Sequence, residues 1–306
     1  MYYPYLRSKQ NEMLALRDIA QSPITYSHVM PIIEPVRELS SLDKTIDIME
    51  SKELSYAVIL NSISIGNEPE EVYAWLADKG RHHYSPAFLC DSSISLVQNY
   101  IKDLDLHDVI LVFKNDIDPD NQNLIPILTH PSIGAIVGHM SRSLKKKLSH
   151  EGKKLITFKP DAFHAQNSNA QYAYVPDELY TEEHSFYEEE NFDGFSDFCV
   201  LPKELQEGGM TPTTLAIHLT YKKNDDEIWV KHFLSDTQLG RENIQRKFQE
   251  AAVHIKEFYE THPRTAAVEA LLHCLQDGHY PGLGKLKEYT VWNHLELING
   301  LLESNR

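Results

Sequence analysis

Polar and charged side chains recur at the points where short apolar runs of this sequence end. Carboxylates in such positions can act as general bases or bind a divalent cation, lysines can hold an anionic group, and histidines can transfer protons near neutral pH. These chemistries require a fold that brings the ends of the runs together. The residues concerned are Glu34, Asn61, Asp91, Lys114, Asn115, His139, Lys159, Asp161, Asp197 and His218.

The apolar runs themselves predict the elements that position these side chains. Each run is short and continuously apolar, which is typical of a parallel strand buried on both faces. Most runs are separated by segments long enough for a helix, and eight such units close a (β/α)₈ barrel with its chemistry at the carboxyl ends of the strands. We therefore predict an α/β fold, a TIM-like (β/α)₈ barrel. The runs are Met30–Val36, Tyr56–Asn61, Ala87–Asp91, Val109–Asn115, Gly134–His139, Lys154–Asp161, Gly194–Leu201 and Leu215–Tyr221.

Three segments extend this minimal barrel. Residues 1–29 predict an extended strap, because the residue before Pro4 avoids the helical region, and then a strap helix. Two strand-like runs on either side of Asn224 predict an extra β-hairpin strand, and the last part of the chain is helical. We predict a barrel domain over 1–240 with a loop insertion at 162–193, and C-terminal helices over 241–306 packed on the barrel.

The predicted catalytic residues stand where a strand meets the mouth of the barrel. Glu34, which follows Pro31-Ile-Ile, is the first candidate base. Several carboxylates at one mouth would repel one another unless a metal ion or a lysine neutralises them. Lys159 precedes Asp161 by two residues and shares its side of the strand, which leaves both solutions open. We predict a catalytic set of Glu34, Lys159, Asp197 and His218, and a Mg²⁺ or Mn²⁺ site formed by Glu34, Asp91 and Asp161.

A second group of residues is suited to hold an anionic substrate. Arg7 and Lys9 precede the first run, and an arginine can bind phosphate or carboxylate through two hydrogen bonds. The alternative is a surface ion-pair network that joins Lys9 to Glu12 and Glu34. A Gly-Gly pair between the last two runs lies where barrels often bind phosphate through backbone amides. We predict a substrate-binding set of Arg7, Lys9, Asn61, Gly208 and Gly209, and find no motif for a nucleotide cofactor.

The charge balance disfavours direct binding to nucleic acid or to an anionic membrane. The chain carries 29 Lys and Arg against 45 Asp and Glu, a formal net charge of −16, and an acidic surface repels polyanions. One basic segment, 142–154, is predicted to be a solvated helix face. The three cysteines show no CxxC spacing and no run is long enough to span a membrane, so we expect a cytoplasmic protein.

Five motifs carry a resemblance to a known family. They are Tyr3-Pro-Tyr-Leu-Arg-Ser-Lys9-Gln-Asn-Glu12-Met-Leu-Ala-Leu, Pro31-Ile-Ile-Glu34-Pro, Gly194-Phe-Ser-Asp197-Phe, Gly208-Gly-Met-Thr-Pro and Ala216-Ile-His218-Leu-Thr-Tyr. They resemble the bacterial and phage proteins called the beta family protein, and more closely an uncharacterised bacterial relative of that family. The resemblance covers residues 1–235. It implies a barrel-type α/β protein of mobile elements with a role in defence against phage, and it supplies no catalytic residue set.

Three functions are compatible with these observations. The first is a metal-assisted, phosphodiesterase-like hydrolase that cleaves a phosphoester or nucleotide-like substrate at the barrel mouth, within a phage-defence or mobile-element system. The second is a non-catalytic adaptor that engages a nuclease-like protein partner, for which the acidic stretch 182–190 is suited. The third is a sensor that binds a ligand without turnover. The polar strand ends favour the enzyme, whereas the insertion can be a lid, a partner surface or a solvated loop.

Overall fold

The structure is a computed structural model of the chain, and it describes residues 1–90, 94–118, 121, 123–205, 211–237 and 240–304. The chain divides into two compact units. The first comprises Met1–Pro160 with Phe186–Asp197, and the second comprises Asp161–Ser185 with Phe198–Arg306. The boundary predicted at residue 240 lies inside the second unit.

The first unit is built on eight parallel strands. Their order around the sheet follows the chain, and each strand is continuously buried or nearly so, as the apolar runs predicted. The strands are β1 (Tyr5–Arg7), β2 (Ile32–Glu34), β3 (Tyr56–Ile59), β4 (Tyr84–Leu89), β5 (Val109–Val112), β6 (Ile133–Val137), β7 (Lys154–Lys159) and β9 (Gly194–Asp197), with β8 (Asp177–Thr181) in the second unit. The intervening helices are α1 (Gln10–Gln21), α2 (Asp43–Ser51), α3 (Pro69–Asp78), α4 (Ile94–Asp103), α5 (Leu124–Leu128) and α6 (Arg142–His150).

The first residues of the chain close this sheet into a ring. The Tyr3 N–H donates to the Phe195 carbonyl at 2.8 Å, and the Phe195 N–H donates to the Met1 carbonyl at 3.1 Å. These bonds make a parallel bridge between the N-terminal segment and β9. The (β/α)₈ barrel predicted from the sequence is therefore confirmed. The N-terminal segment, expected to be a strap across the mouth, is instead a strand of the barrel itself.

The second unit contains an antiparallel sheet. Its strands are ordered β10 (Ala216–Lys222), β11 (Ile228–Leu234) and β8, and the predicted hairpin is the β10–β11 pair. The expectation that Leu215–Tyr221 is the eighth barrel strand is wrong, because β1 takes that place in the ring. Side chains along β10 alternate between the two faces of the sheet. Ile217, Leu219 and Tyr221 are buried on one face and His218 lies on the other, which is typical of an antiparallel strand.

The C-terminal helices pack on this antiparallel sheet. They are α8 (Ile244–Phe258), α9 (Ala266–Gln276) and α10 (Leu283–Ser304), and a short helix α7 (Glu183–Phe186) precedes β9. Apolar side chains of the three long helices share one core with the inner face of β10. The predicted insertion 162–193 supplies β8, so part of it is a sheet strand and not a loop. Within the described ranges, no helix is long and apolar enough to cross a membrane.

The barrel closure can be tested at Gly194. A Cβ atom at this position would lie 2.5 Å from the Met1 carbonyl oxygen and 2.7 Å from the Tyr3 ring, both on the neighbouring segment of the closure. We expect Gly194→Ala to lower the free energy of unfolding by about 1–3 kcal/mol through overpacking. The matched control is Gly300→Ala in α10, where a Cβ meets nothing within 4 Å and alanine should stabilise the helix by about 1 kcal/mol. Equal effects in urea unfolding would contradict a tight closure.

Candidate functional site at the barrel mouth

The barrel gathers polar residues from separate parts of the chain at one rim. Since all eight strands are parallel, their carboxyl ends lie on the same side of the ring. Arg7 ends β1 in register with Glu34 at the end of β2, and Lys159 ends β7 in register with Asp197 at the end of β9. Lys114 follows β5. Glu34, Lys159 and Asp197 therefore lie at strand ends, where the sequence predicted them.

Glu34 and Lys114 form an ion pair within this rim. The Lys114 Nζ lies 3.1 Å from Glu34 Oε2, and the Tyr5 hydroxyl donates to the same oxygen at 2.8 Å. The ammonium also lies 4.9 Å from the centre of the Tyr5 ring, a cation–π contact. Glu34 is only 7% exposed, and the Lys114 side chain is 22% exposed. Burial of a polar group costs free energy unless such partners compensate it.

One carboxylate oxygen is left for a ligand. Both contacts engage Glu34 Oε2, and no residue in the described part of the chain donates a hydrogen bond to Oε1. Glu34 and Lys114 line a cavity of about 570 Å³, within the usual size of small-molecule sites. The arrangement can therefore accept a proton at Oε1 while Lys114 supplies positive charge beside it.

Glu34 and Asp197 face opposite sides of the sheet. The Tyr5 ring, which bonds Glu34, stacks on Phe158 with ring centres 5.9 Å apart, so these side chains face the barrel interior. Phe158 is in register with Ser196, and the next residues, Lys159 and Asp197, therefore point to the outer face. Asp197 is buried there and accepts a hydrogen bond from the Tyr2 hydroxyl at 2.7 Å. The predicted catalytic set is split, and Lys114, not Lys159, neutralises Glu34.

The predicted substrate-binding residues differ in their surroundings. Arg7 is buried and shares the interior face of Glu34, while its backbone N–H donates to Glu12 at 2.5 Å. Lys9 is half-buried and precedes α1. The Asn61 amide is used by the backbone: it donates to the Leu89 carbonyl and accepts from the Leu89 N–H, each at 2.8 Å. Asn61 therefore extends the β3–β4 pairing and shapes the cavity wall.

The predicted metal site is not assembled by the described residues. Asp161 belongs to the second unit, where it is exposed and lies 3.8 Å from Lys203. Asp91 lies outside the described residues, as do Gly208 and Gly209 of the predicted phosphate-binding loop. Among the residues that the structure describes, no three His, Cys, Asp or Glu side chains form a group that could hold a metal ion. Glu34 alone remains, with Lys114 bound to one of its oxygens.

His218 lies in the second unit, so the barrel does not position it. Its Nδ1 atom is 2.7 Å from Nδ1 of His232 on the neighbouring strand. The other ring nitrogen of His232 lies 3.4 Å from Glu178, and the Tyr172 ring packs against both histidines. Burial, reinforced by His232, lowers the pKa of His218 from 6.5 to about 3. Burial also lowers the pKa of His232, so both rings are neutral at pH 7 and one Nδ1 donates to the other.

Several residues of the mouth were missed by the sequence reasoning. Tyr5 was assigned to a strap, although the alternation of Tyr3, Tyr5 and Arg7 was a sign of a strand with one shared face. Ile63 and Leu96 line the cavity from segments that follow β3 and β4, and no local pattern marks them.

Comparisons with known protein families, with curated proteins and with solved structures find no match to this chain.

Proposed function

We propose that the protein is an enzyme that acts on a small molecule at the barrel mouth, with Glu34 as the proton acceptor and Lys114 as the cationic group. The observation that carries the proposal is the carboxylate itself: it is nearly buried, bonded on one oxygen by Lys114 and Tyr5, and unengaged by described residues on the other. Buried carboxylates with defined partners on one oxygen and a cavity in front of them are typical of acid–base sites.

A phosphoester or nucleotide-like substrate suits these residues best. In hydrolysis, water attacks the phosphorus, Glu34 accepts the proton of that water, and the ester oxygen leaves with the electrons of the broken P–O bond. Lys114 then stabilises the negative charge that develops on the phosphoryl oxygens. Arg7 is on the same interior face but is buried and does not line the cavity, so Lys114 is the cation assigned to the substrate. The divalent cation stays a prediction from the sequence, and the reaction described here uses only side chains of the protein.

From the resemblance to the beta family protein we further propose that this activity serves in defence against phage. The adaptor and sensor functions also remain predictions of the sequence. They differ from the enzyme in one measurable respect, because neither requires Glu34 to exchange a proton. Turnover therefore separates the proposed function from both alternatives.

The test is hydrolysis of p-nitrophenyl phosphate and bis(p-nitrophenyl) phosphate, with Mg²⁺, with Mn²⁺ and with EDTA. We expect Glu34→Gln to lower the rate by at least about 100-fold while the protein stays folded. The matched control is Glu50→Gln, because Glu50 also accepts from a tyrosine hydroxyl, Tyr56, at 2.7 Å but does not line this cavity. Absence of turnover in the wild type under all three conditions, or equal rates in the two variants, would refute the proposal.

A further inference from the structure

The cavity at the mouth is lined by both polar and apolar side chains. Glu34, Lys114, Asn61 and Ser62 are polar, and so are Ser64, Asn67 and Glu68 of the β3–α3 connection. Four of the apolar side chains come from that connection and from α4. They are Ile63, Leu96, Val97 and Tyr100.

Two of these apolar side chains are exposed to solvent. Ile63 is 89% exposed and Leu96 is 51% exposed, and both lie at the cavity. Most large apolar residues of the barrel are buried, so the two stand out from the rest of its surface. A cluster of exposed apolar side chains around a polar cavity is typical of a binding site.

The local backbone holds Ile63 in this position. Ile63–Ile65 form a single 3₁₀ turn that ends at Gly66, whose φ of +66° is a left-handed conformation that glycine adopts without strain. The Ser62 hydroxyl donates to the Pro35 carbonyl and fixes the start of the turn. Ile63 is therefore presented at the rim by a defined turn. Leu96 lies in the first turn of α4 and lines the same cavity.

The volume of the cavity also favours a ligand with an apolar body. About 570 Å³ admits a drug-sized molecule, whereas a single phosphate or carboxylate group would fill only the space beside Lys114. We infer that the ligand of this site is an amphipathic small molecule, an organic phosphate whose anionic group meets Lys114 and whose apolar body lies between Ile63 and Leu96. This inference rests on the proposed function, because it assumes that the mouth binds a phosphoester.

Phenyl phosphate and methyl phosphate provide the test, since they share the phosphate and differ in the apolar body. Their dissociation constants are measured by calorimetry on the wild type and on an Ile63→Ser/Leu96→Ser variant. We expect phenyl phosphate to bind the wild type at least about tenfold more tightly than methyl phosphate, and the difference to disappear in the variant. Binding of methyl phosphate should change little by comparison, because methyl phosphate has no apolar body that could contact Ile63 or Leu96.

Ile24→Ser is the matched control, because Ile24 is also an exposed isoleucine of the first unit, at 40%, and does not line the cavity. It should retain the preference for phenyl phosphate. If the wild type binds both phosphates equally, or if the preference survives in the double variant, the apolar-body inference is overturned while the proposed function stands. If neither phosphate binds to the wild type, both proposals fail.

Discussion

Replacement of Lys114 by methionine is expected to lower the free energy of unfolding by about 2–4 kcal/mol, because it removes the cation that neutralises the Glu34 carboxylate, which is only 7% exposed. In the native protein the ammonium lies 3.1 Å from Glu34 Oε2, and the Tyr5 hydroxyl is the second donor to that oxygen. One neutral hydroxyl compensates only part of the cost of a buried charge. Urea unfolding of the variant measures the loss.

A double-mutant cycle separates this effect from lost packing. Glu34→Gln removes the charge that Lys114 neutralises, so the double variant Glu34→Gln/Lys114→Met should recover about 2 kcal/mol relative to Lys114→Met alone. The matched control is Lys79→Met. Lys79 lies closer to its partner Asp43, at 2.6 Å, but its side chain is 42% exposed, and the loss should stay below about 1 kcal/mol. Additive effects of the Glu34 and Lys114 substitutions, or equal losses in the two lysine variants, would show that the pair is no more than a surface contact.

The same pair shows how far sequence reasoning reaches into the site. Glu34 and Lys114 were both recognised as strand ends, because apolar runs that stop at a polar residue are visible in one dimension. Their partnership was not, since Lys159 lies closer in sequence to the other predicted carboxylates and was taken as the neutralising group. The direction of a side chain at a barrel rim depends on its register with both neighbouring strands. That register is set by long-range pairing, such as Lys159 with Asp197, and leaves no local signal.

The fold was predictable where strands are visible as apolar runs, and not where their pairing depends on distant parts of the chain. Seven buried parallel strands were found as apolar runs, and the barrel class followed from their number and spacing. β1 was missed because it has three residues and follows Pro4, a pattern that also describes an extended strap. β10 was wrongly assigned to the barrel because a run of apolar residues does not indicate whether the strand pairs in a parallel or an antiparallel sheet. Only its alternation, with Ile217 and Leu219 buried on one face, indicated the antiparallel sheet.

The histidine pair of the second unit should make stability depend on pH, in a direction fixed by burial. The pKa of His218 falls from 6.5 to about 3 on folding, first because of burial and then because of His232 and Lys287. Burial also lowers the pKa of His232, against the opposing effects of Glu178 and Asp177. As the pH falls below 6.5, the unfolded chain binds a proton that the folded pair does not, so stability decreases with falling pH and this loss levels off near pH 3.

Between pH 8 and pH 5 we expect His218 to cost about 2 kcal/mol of unfolding free energy. Carboxylates whose pKa is lowered in the folded state, such as Asp225 and Glu250, stay ionised over this range.

Tryptophan fluorescence in urea, recorded in a Trp75→Phe background, reports on Trp229 and Trp292 of the second unit. His218→Asn keeps a donor near His232 but does not titrate, and it should remove the part of the pH dependence that His218 contributes, while His232 and His184, whose pKa values burial also lowers, retain theirs. His107→Gln, at a histidine whose side chain is 75% exposed, should leave the pH dependence unchanged. An unaltered slope in His218→Asn would mean that His218 takes up a proton in the folded protein as readily as in the unfolded chain, which its burial opposes.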